Sequence, residues 1–298
     1  MATETTSTTL TEIVNSEAIS RLMIAYGIDA SVVAPLCAVL DISGLATGAG
    51  SFPQWELDAV ETVTEGTTTM TNVSLQTTEI AAITAGEVGI LREVTKYALA
   101  TNMLGEEGLK RFIVEDGGRL NAVNMENDLC ALFSGFATTV GATGADLSVA
   151  NFVEAISRVE GLKNARGPKA AVLDDQQAFD LRAGVAASTG TVFANAAKNL
   201  QDILMQREEG GYVGSLFGVN CWQTNLTDTA NTAADVVGWM GIDGSVSPNY
   251  ASLGIVRLWA PSVQMVAMPS DSSEAIAITS AYGVGRISDF AVDLTTDA

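Results

Sequence analysis

The chain has 298 residues, 47% of them hydrophobic, which is enough apolar content for one large core or two medium ones. It carries 35 acidic against 15 basic side chains, a formal net charge of −20, and Arg21 and Arg92 are the only bases before Lys96, so nucleic-acid binding through phosphate neutralisation is disfavoured. There is no histidine, which removes Ser-His-Asp and Cys-His nucleophile systems, imidazole metal sites and imidazole pH switching together.

The first nine residues are Thr-rich, hold Glu4 and contain no Lys or Arg, unlike a secretory signal. Thr9 with Glu12 fits a capping box opening a helix that ends near Gly27, with Ile13, Val14, Ile19, Leu22 and Met23 as its apolar positions. The apolar stretch Ser31–Leu40 holds Pro35 and stops at Asp41, short of the ~18–20 residues a membrane helix needs. The Gly-rich passage from Asp41 to Gly50 reads as a hinge, because Gly48-Ala-Gly50 is too short for a dinucleotide fingerprint and leads into a strand.

From Ser51 two polar arms form an expected hairpin. In Ser51–Val60, Trp55, Leu57 and Ala59 alternate with Gln54, Glu56 and Asp58, the period of a half-buried strand. Gly66 supplies the bend, and the return arm Asn72–Ile80 alternates again. A two-stranded ribbon alone in water is marginal, so it should lie on a larger body, including another copy of the chain.

Residues 81–100 carry strand character into a helical start. A helix is predicted from Glu106 to Phe136, with Leu109, Phe112, Ile113, Leu120, Val123, Cys130 and Phe133 as its apolar stripe. Gly117-Gly118 predicts a kink there or two helices in series. Gly135–Gly144 reads as a flexible break. Ser148 caps a second amphipathic helix to Leu162, with Val149, Phe152, Ile156 and Val159 inward.

Lys163–Lys169 is a locally basic loop, read as solvated rather than phosphate-binding. Ala170–Leu173 reads as a short buried strand. Asp174-Asp175 sits at the start of a helix, where capping is favoured over metal binding for want of a third ligand. Thr191–Leu204 is helical in pattern, and Tyr212–Trp222 is strand-like with interruptions at Gly214 and Gly218. After a polar loop at Thr224–Thr232, strands are expected at Val236–Met240, Ile255–Trp259 and Val263–Met268. Two more follow at Ala275–Ile287 and Phe290–Leu294, with breaks at Gly283/Gly285 and Ser288-Asp289.

Three cysteines, Cys37, Cys130 and Cys221, lie far apart with no Cys-x-x-Cys, which fits neither a disulfide framework nor a zinc site. They read as small buried apolar residues. No Gly-x-Ser-x-Gly, phosphate-loop or EF-hand sequence is present, so neither catalysis nor a cofactor or metal is indicated.

The order of these pieces resembles a known family. A mobile acidic arm precedes a hairpin after Ser51-Phe-Pro-Gln-Trp55. Ile83-Thr-Ala-Gly-Glu-Val-Gly-Ile-Leu-Arg-Glu-Val94 leads into a long helix, followed by Val172-Leu-Asp-Asp-Gln-Gln177, Leu216-Phe-Gly-Val-Asn220 and Ser280-Ala-Tyr-Gly-Val-Gly-Arg-Ile287. Over roughly residues 10–298 this is similar to the major capsid proteins of tailed bacteriophages.

The resemblance implies an α+β chain with the Hong Kong 97-like fold. Residues 1–50 would be the N-terminal arm, 51–83 the extended loop and 84–166 a peripheral domain with its spine helix. Residues 167–253 would be the axial domain and 254–298 strands returning to the peripheral sheet. It implies a structural, non-enzymatic subunit that assembles with copies of itself into hexamers and pentamers of an icosahedral shell around the phage genome, in the host cytoplasm. Scaffolding, portal and cement proteins would be further partners, with no specific nucleic acid and no membrane.

Some family members weld the shell by an isopeptide bond from an extended-loop lysine. Here the loop has Glu56, Asp58, Glu61, Glu65 and Glu79 and no lysine. The expected contacts are therefore non-covalent. Trp55, Leu57, Val73 and Leu75 would be apolar anchors, and a neighbour's Arg92, Lys96 or Arg111 would meet Glu56, Asp58, Glu61 and Glu65. An acidic inner wall would also repel packed DNA. Two alternatives stand beside it: an encapsulin-type compartment shell, and an acidic metal-dependent cytosolic enzyme using Asp174 and Asp175.

Overall fold

The computed structural model describes residues 31–44, 48–55, 77–79, 82–101, 105–162, 167–187, 211–230, 235–268 and 273–297. The helices expected at Thr9–Gly27 and Thr191–Leu204, the basic stretch 163–166 and the hairpin residues 56–76 lie outside them.

In chain order the first half gives a 3-10 turn at Ala34–Leu36, β1 (Ala38–Asp41), β2 (Ala49–Gly50), β3 (Pro53–Trp55), β4 (Thr77–Glu79), β5 (Ile83–Thr84) and β6 (Gly86–Thr95). Two helices, α1 (Lys96–Thr101) and the 26-residue α2 (Gly105–Cys130), follow, then β7 (Thr139–Gly141) and α3 (Val149–Gly161). The second half holds β8 (Lys169–Leu173), α4 (Asp175–Ala187), β9 (Tyr212–Leu216), β10 (Val219–Gln223), β11 (Asp228–Ala230), β12 (Asp235–Ile242), β13 (Leu253–Met268), β14 (Ser273–Arg286) and β15 (Ala291–Asp297).

Two sheets organise these elements. One has four strands in the order β1-β13-β14-β6; β1 runs parallel to β13, and the other pairs are antiparallel. The other has seven strands, ordered β7-β15-β12-β8-β10-β9 with β11 also on β12. The last strand, β15, therefore pairs with β7 and β12 rather than with β13 and β14.

The seven-stranded sheet is covered on both faces, which is why β8 reads as a continuous apolar run. Ala171, Leu173, Met240, Val292 and Leu294 face α3 and α4 through Phe152, Val159 and Leu181. Ala170, Val172, Val237 and Trp239 face the other way, onto Leu129, Phe133, Val33 and Leu36. That second cluster also takes in Leu253 and Ile255 of β13, so one apolar core joins the two sheets. The Phe133 and Trp239 rings stack there with centroids 6.2 Å apart.

Local signals explain several boundaries. Ser148 caps α3 by accepting from Asn151 N at 3.1 Å, and Phe152, Ile156 and Val159 point inward as their spacing predicts. At α4 the caps are reciprocal: Asp174 Oδ1 accepts from Gln176 N, and Gln177 Oε1 accepts from Asp174 N. Asp174 Oδ2 takes Thr227 Oγ1 at 2.7 Å and Asp175 Oδ1 takes Gln223 Nε2 at 2.6 Å, so both carboxylates are engaged as fasteners.

Elsewhere the structure departs from the sequence expectations. Helix α2 ends at Cys130 instead of Phe136 and runs as one helix through Gly117 and Gly118. Its buried face is Val114, Gly117, Gly118, Ala122, Glu126, Leu129 and Cys130, while Phe112 (58% exposed) and Leu120 from the expected stripe are exposed. The helix lies so close to β14 that a Cβ at Gly117 would fall on Ile278 Cδ1. Small residues share the packed side with Val114 and Leu129.

The flexible break after Gly135 contains β7. Tyr212–Trp222 is not one strand but the β9–β10 hairpin, turned at Phe217 (φ 51°) and Gly218 (φ 80°). The two strands expected around Pro261 are one strand, β13, whose register slips between Arg257 and Ser262. Gly283 and Gly285 do not break β14.

Candidate subunit interface

The hairpin starts from a fixed root. Ala49 and Gly50 pair with Thr84 and Ile83, and Pro53, Gln54 and Trp55 pair with Glu79, Thr78 and Thr77. The midpoint of each of these latter three pairs is residue 66, the glycine expected at the bend. Ile83 is buried with Ile42 and Val256, and Phe52 packs against the same cluster. A side chain at Gly283 would collide with the Thr84 carbonyl, so β5 rests directly on the backbone of β14. Both arms of the hairpin thus leave one point on the four-stranded sheet.

Of the expected contact residues, Trp55 ends β3. Glu56, Leu57, Asp58, Glu61, Glu65, Val73 and Leu75 lie outside the described residues. The expected cations sit on β6, α1 and α2. Arg92 Nη2 donates to Asp116 Oδ2 at 3.3 Å across β6 and α2, and Arg111 Nε donates to Glu115 Oε1 at 2.7 Å one helical turn away. Lys96 opens α1 and is exposed. The structure therefore gives Arg92 and Arg111 each an acid of its own chain on α2.

Two features were missed from sequence. Lys110 Nζ meets Glu274 Oε2 at 2.7 Å with both side chains mostly covered, tying α2 to β14; no local pattern relates residues 164 apart. On the face of the four-stranded sheet turned away from α2, Leu91 (65% exposed) and Val266 flank the small Ala275 and Ala277. Tyr97, 79% exposed, follows on α1. Strand character over residues 81–100 was visible, but which face stays uncovered depends on where α2 docks. Glu93 and Gln264 share that face with them, so it is mixed rather than apolar, and Leu91 and Val266 are its candidates for contact with another surface.

The cysteines are buried and free of disulfides; burial pushes the Cys37 thiol well up and that of Cys221 up to about 12, so they are packing residues rather than nucleophiles. Among the described residues no group of three or more His, Cys, Asp or Glu side chains can hold a metal ion, and no helix is long and apolar enough to cross a membrane.

No family model and no curated protein matches this sequence. Solved structures do match in shape. A protein of Mycobacterium phage Che8 is 14% identical with a TM-score of 0.66, over 89% of this chain and 90% of its own. The capsid of cyanophage P-SCSP1u is 14% identical with a TM-score of 0.62, over 89% and 88%. The SrpI encapsulin complex of Synechococcus elongatus is 9% identical with a TM-score of 0.62, over 89% and 87%. With the rooted hairpin, the spine helix α2 and the two sheets in place, the chain has the Hong Kong 97-like fold.

Proposed function

We propose that this chain is the non-enzymatic building block of a closed icosahedral shell, the capsid of a tailed bacteriophage. The observation that carries the reading is the near full-length likeness in shape to phage capsid chains, joined to a hairpin whose two arms start from one point on the four-stranded sheet. In this reading residues 51–83 lie over a neighbouring copy, with Trp55, Leu57, Val73 and Leu75 on its apolar surface. The exposed Leu91, Val266 and Tyr97 are part of what a neighbour covers. Lys96 is the readiest cation for the loop acids, because Arg92 and Arg111 must first trade Asp116 and Glu115. Such exposed exchanges contribute only about 0–1 kcal/mol each, and repetition around the shell multiplies them.

The division into an arm (1–50), extended loop (51–83), peripheral domain (84–166), axial domain (167–253) and return strands (254–298) belongs to the same reading. So do hexamers and pentamers of the chain, scaffolding, portal and cement partners, and assembly in the host cytoplasm. The net charge of −20 suits a wall that repels packed DNA.

Replacing residues 56–76 by a short turn tests the proposal. The shortened chain should fold, keep its circular dichroism spectrum and stay small in light scattering, while the full chain forms particles. Particles of equal size from both would contradict it. A second reading, an encapsulin-type compartment, is favoured by the likeness to the Synechococcus complex. Nucleic acid inside purified particles supports the capsid; a packaged protein supports the compartment.

A further inference from the structure

The stretch from β7 to the start of α3 crosses the end of the seven-stranded sheet, and carboxylates hold it there. Asp293 Oδ2 on β15 accepts from Thr139 Oγ1 at 3.0 Å, and Asp235 Oδ1 on β12 accepts from Gly144 N at 2.8 Å. Asp180 Oδ2 on α4 accepts from Leu147 N at 3.4 Å. Two backbone bonds join them, from Asp293 N to Thr138 O and from Asp297 N to Ala145 O, each at 3.0 Å. Of residues 139–147 only Val140 and Leu147 are buried, so polar contacts rather than packing hold the rest.

These carboxylates have no counter-ion. No ion pair among the described residues reaches Asp146, Asp180, Asp235 or Asp293. Asp235 and Asp293 are 1% and 4% exposed, and Asp235 Oδ2 and Asp293 Oδ1 have no hydrogen-bond partner. A charge in such a place is costly. Asp235 and Asp297 also stand directly opposite each other on β12 and β15, where like charges repel. Asp146 and Asp297 are the charges that face Asp180. Asp175 and Arg182 of its own helix turn to Gln223, and Glu154 and Arg158 of α3 pair with each other. Around Asp293, the strands β7 and β12 and the turn Phe133–Gly135 carry one charged side chain, Asp235, four residues from the Trp239 opposite Asp293. Burial raises the Asp293 carboxyl above its ordinary value, against the Thr139 hydrogen bond. Burial first, then Asp146 and Asp297, does the same for Asp180, against the bonds from Leu147 and Gln176.

We infer that residues 139–147 form a proton-sensitive strap, docked across β15 and β12 in acid and released as pH rises and Asp180 and Asp293 ionise. The sign follows from linkage. A carboxyl that binds its proton more tightly when the strap is docked contributes stability that is fully present below its undocked pKa. That stability is lost as pH rises through the docked one. Release frees the edge of β15 at residues 293–295, which β7 covers. The inference concerns one chain and does not rest on the shell reading.

Hydrogen–deuterium exchange of the full chain at about pH 5 and about pH 8, corrected for the intrinsic rate, tests it. Protection of residues 142–147 should fall about tenfold at the higher pH, the change that one unit of pKa shift yields, while β8 and α3 keep theirs. In the double variant Asp180→Asn, Asp293→Asn, each amide can still accept the strap's hydrogen bond but cannot ionise. Its protection should be the same at both pH values. Equal protection of the native chain at both, or the same fall in the double variant, would overturn the inference. So would a fall shared by β8, which would mark unfolding of the whole sheet. The native comparison decides by itself if the double variant does not fold.

Discussion

Glu126 shows how much one side chain can be asked to hold. Its carboxylate is buried on the spine helix, and the three donors it accepts come from residues more than ninety positions earlier in the chain. Desolvation raises its pKa, and the hydrogen bonds from Ser31, Val33 and Val32 offset only part of that. Glu126→Ala strands these donors and should cost about 2–5 kcal/mol in urea unfolding, at ~1–3 kcal/mol per unsatisfied buried group with some relaxation. The sign of the pH effect follows from the raised folded-state pKa. The folded chain binds the proton more tightly, so the contribution of Glu126 is fully present below its unfolded value and is lost as pH rises through the folded one. The stability of the native chain relative to Glu126→Gln should therefore increase as pH falls through that window. An opposite slope would mean that the hydrogen bonds outweigh desolvation. In the sequence Glu126 is one acid among 35, and nothing local separates it from a solvated one. Only the return of residues 31–33 onto α2 makes it a clamp.

At the scale of elements, the packing of α2 on β14 rests on the absence of a side chain. Gly117→Ala gains helix propensity of up to about 1 kcal/mol, yet it drives a Cβ into Ile278 Cδ1, and overpacking costs about 1–3 kcal/mol. The single substitution should be net destabilising, and Ile278→Val, which removes that methyl, should restore part of the loss in the double mutant. Strictly additive effects in the thermodynamic cycle would contradict the close approach. The β9–β10 hairpin gives a second case. Phe217 holds a left-handed conformation that suits Asn far better, so Phe217→Asn should raise subunit stability by roughly 0.5–1 kcal/mol in thermal unfolding.

These two places explain where the sequence was legible and where it was not. The capped helix α3 and the buried strand β8 carry local patterns that their packing obeys, and the expected hairpin pairs as strands at its root. The stripe on α2 was misplaced in its middle because there, between Val114 and Leu129, the contact face is glycine, alanine and a carboxylate, which hydrophobic periodicity does not count. The β9–β10 turn falls at the expected interruption at Gly218, but the chain reversal there was not legible because phenylalanine stands where turn chemistry expects Asn. The sheet partners of β15 depend on contacts more than forty residues distant, such as β12 and β7, which no local window holds.

For the whole molecule, one copy leaves surface open: both arms of the hairpin start from the four-stranded sheet, Leu91 and Val266 stand exposed on that sheet, and the spine helix carries exposed Phe112 and Leu120. Because residues 51–83 contain no lysine, any shell it forms should dissolve in hot detergent to a single band near 30.9 kDa. A covalent ladder on such a gel would contradict the non-covalent contacts. The most direct test is a cryo-electron microscopy reconstruction of the purified full chain that locates residues 56–76. The account predicts closed icosahedral particles in which that stretch lies on the sheet and spine helix of an adjacent copy. A solitary subunit with the stretch folded against its own body would contradict it.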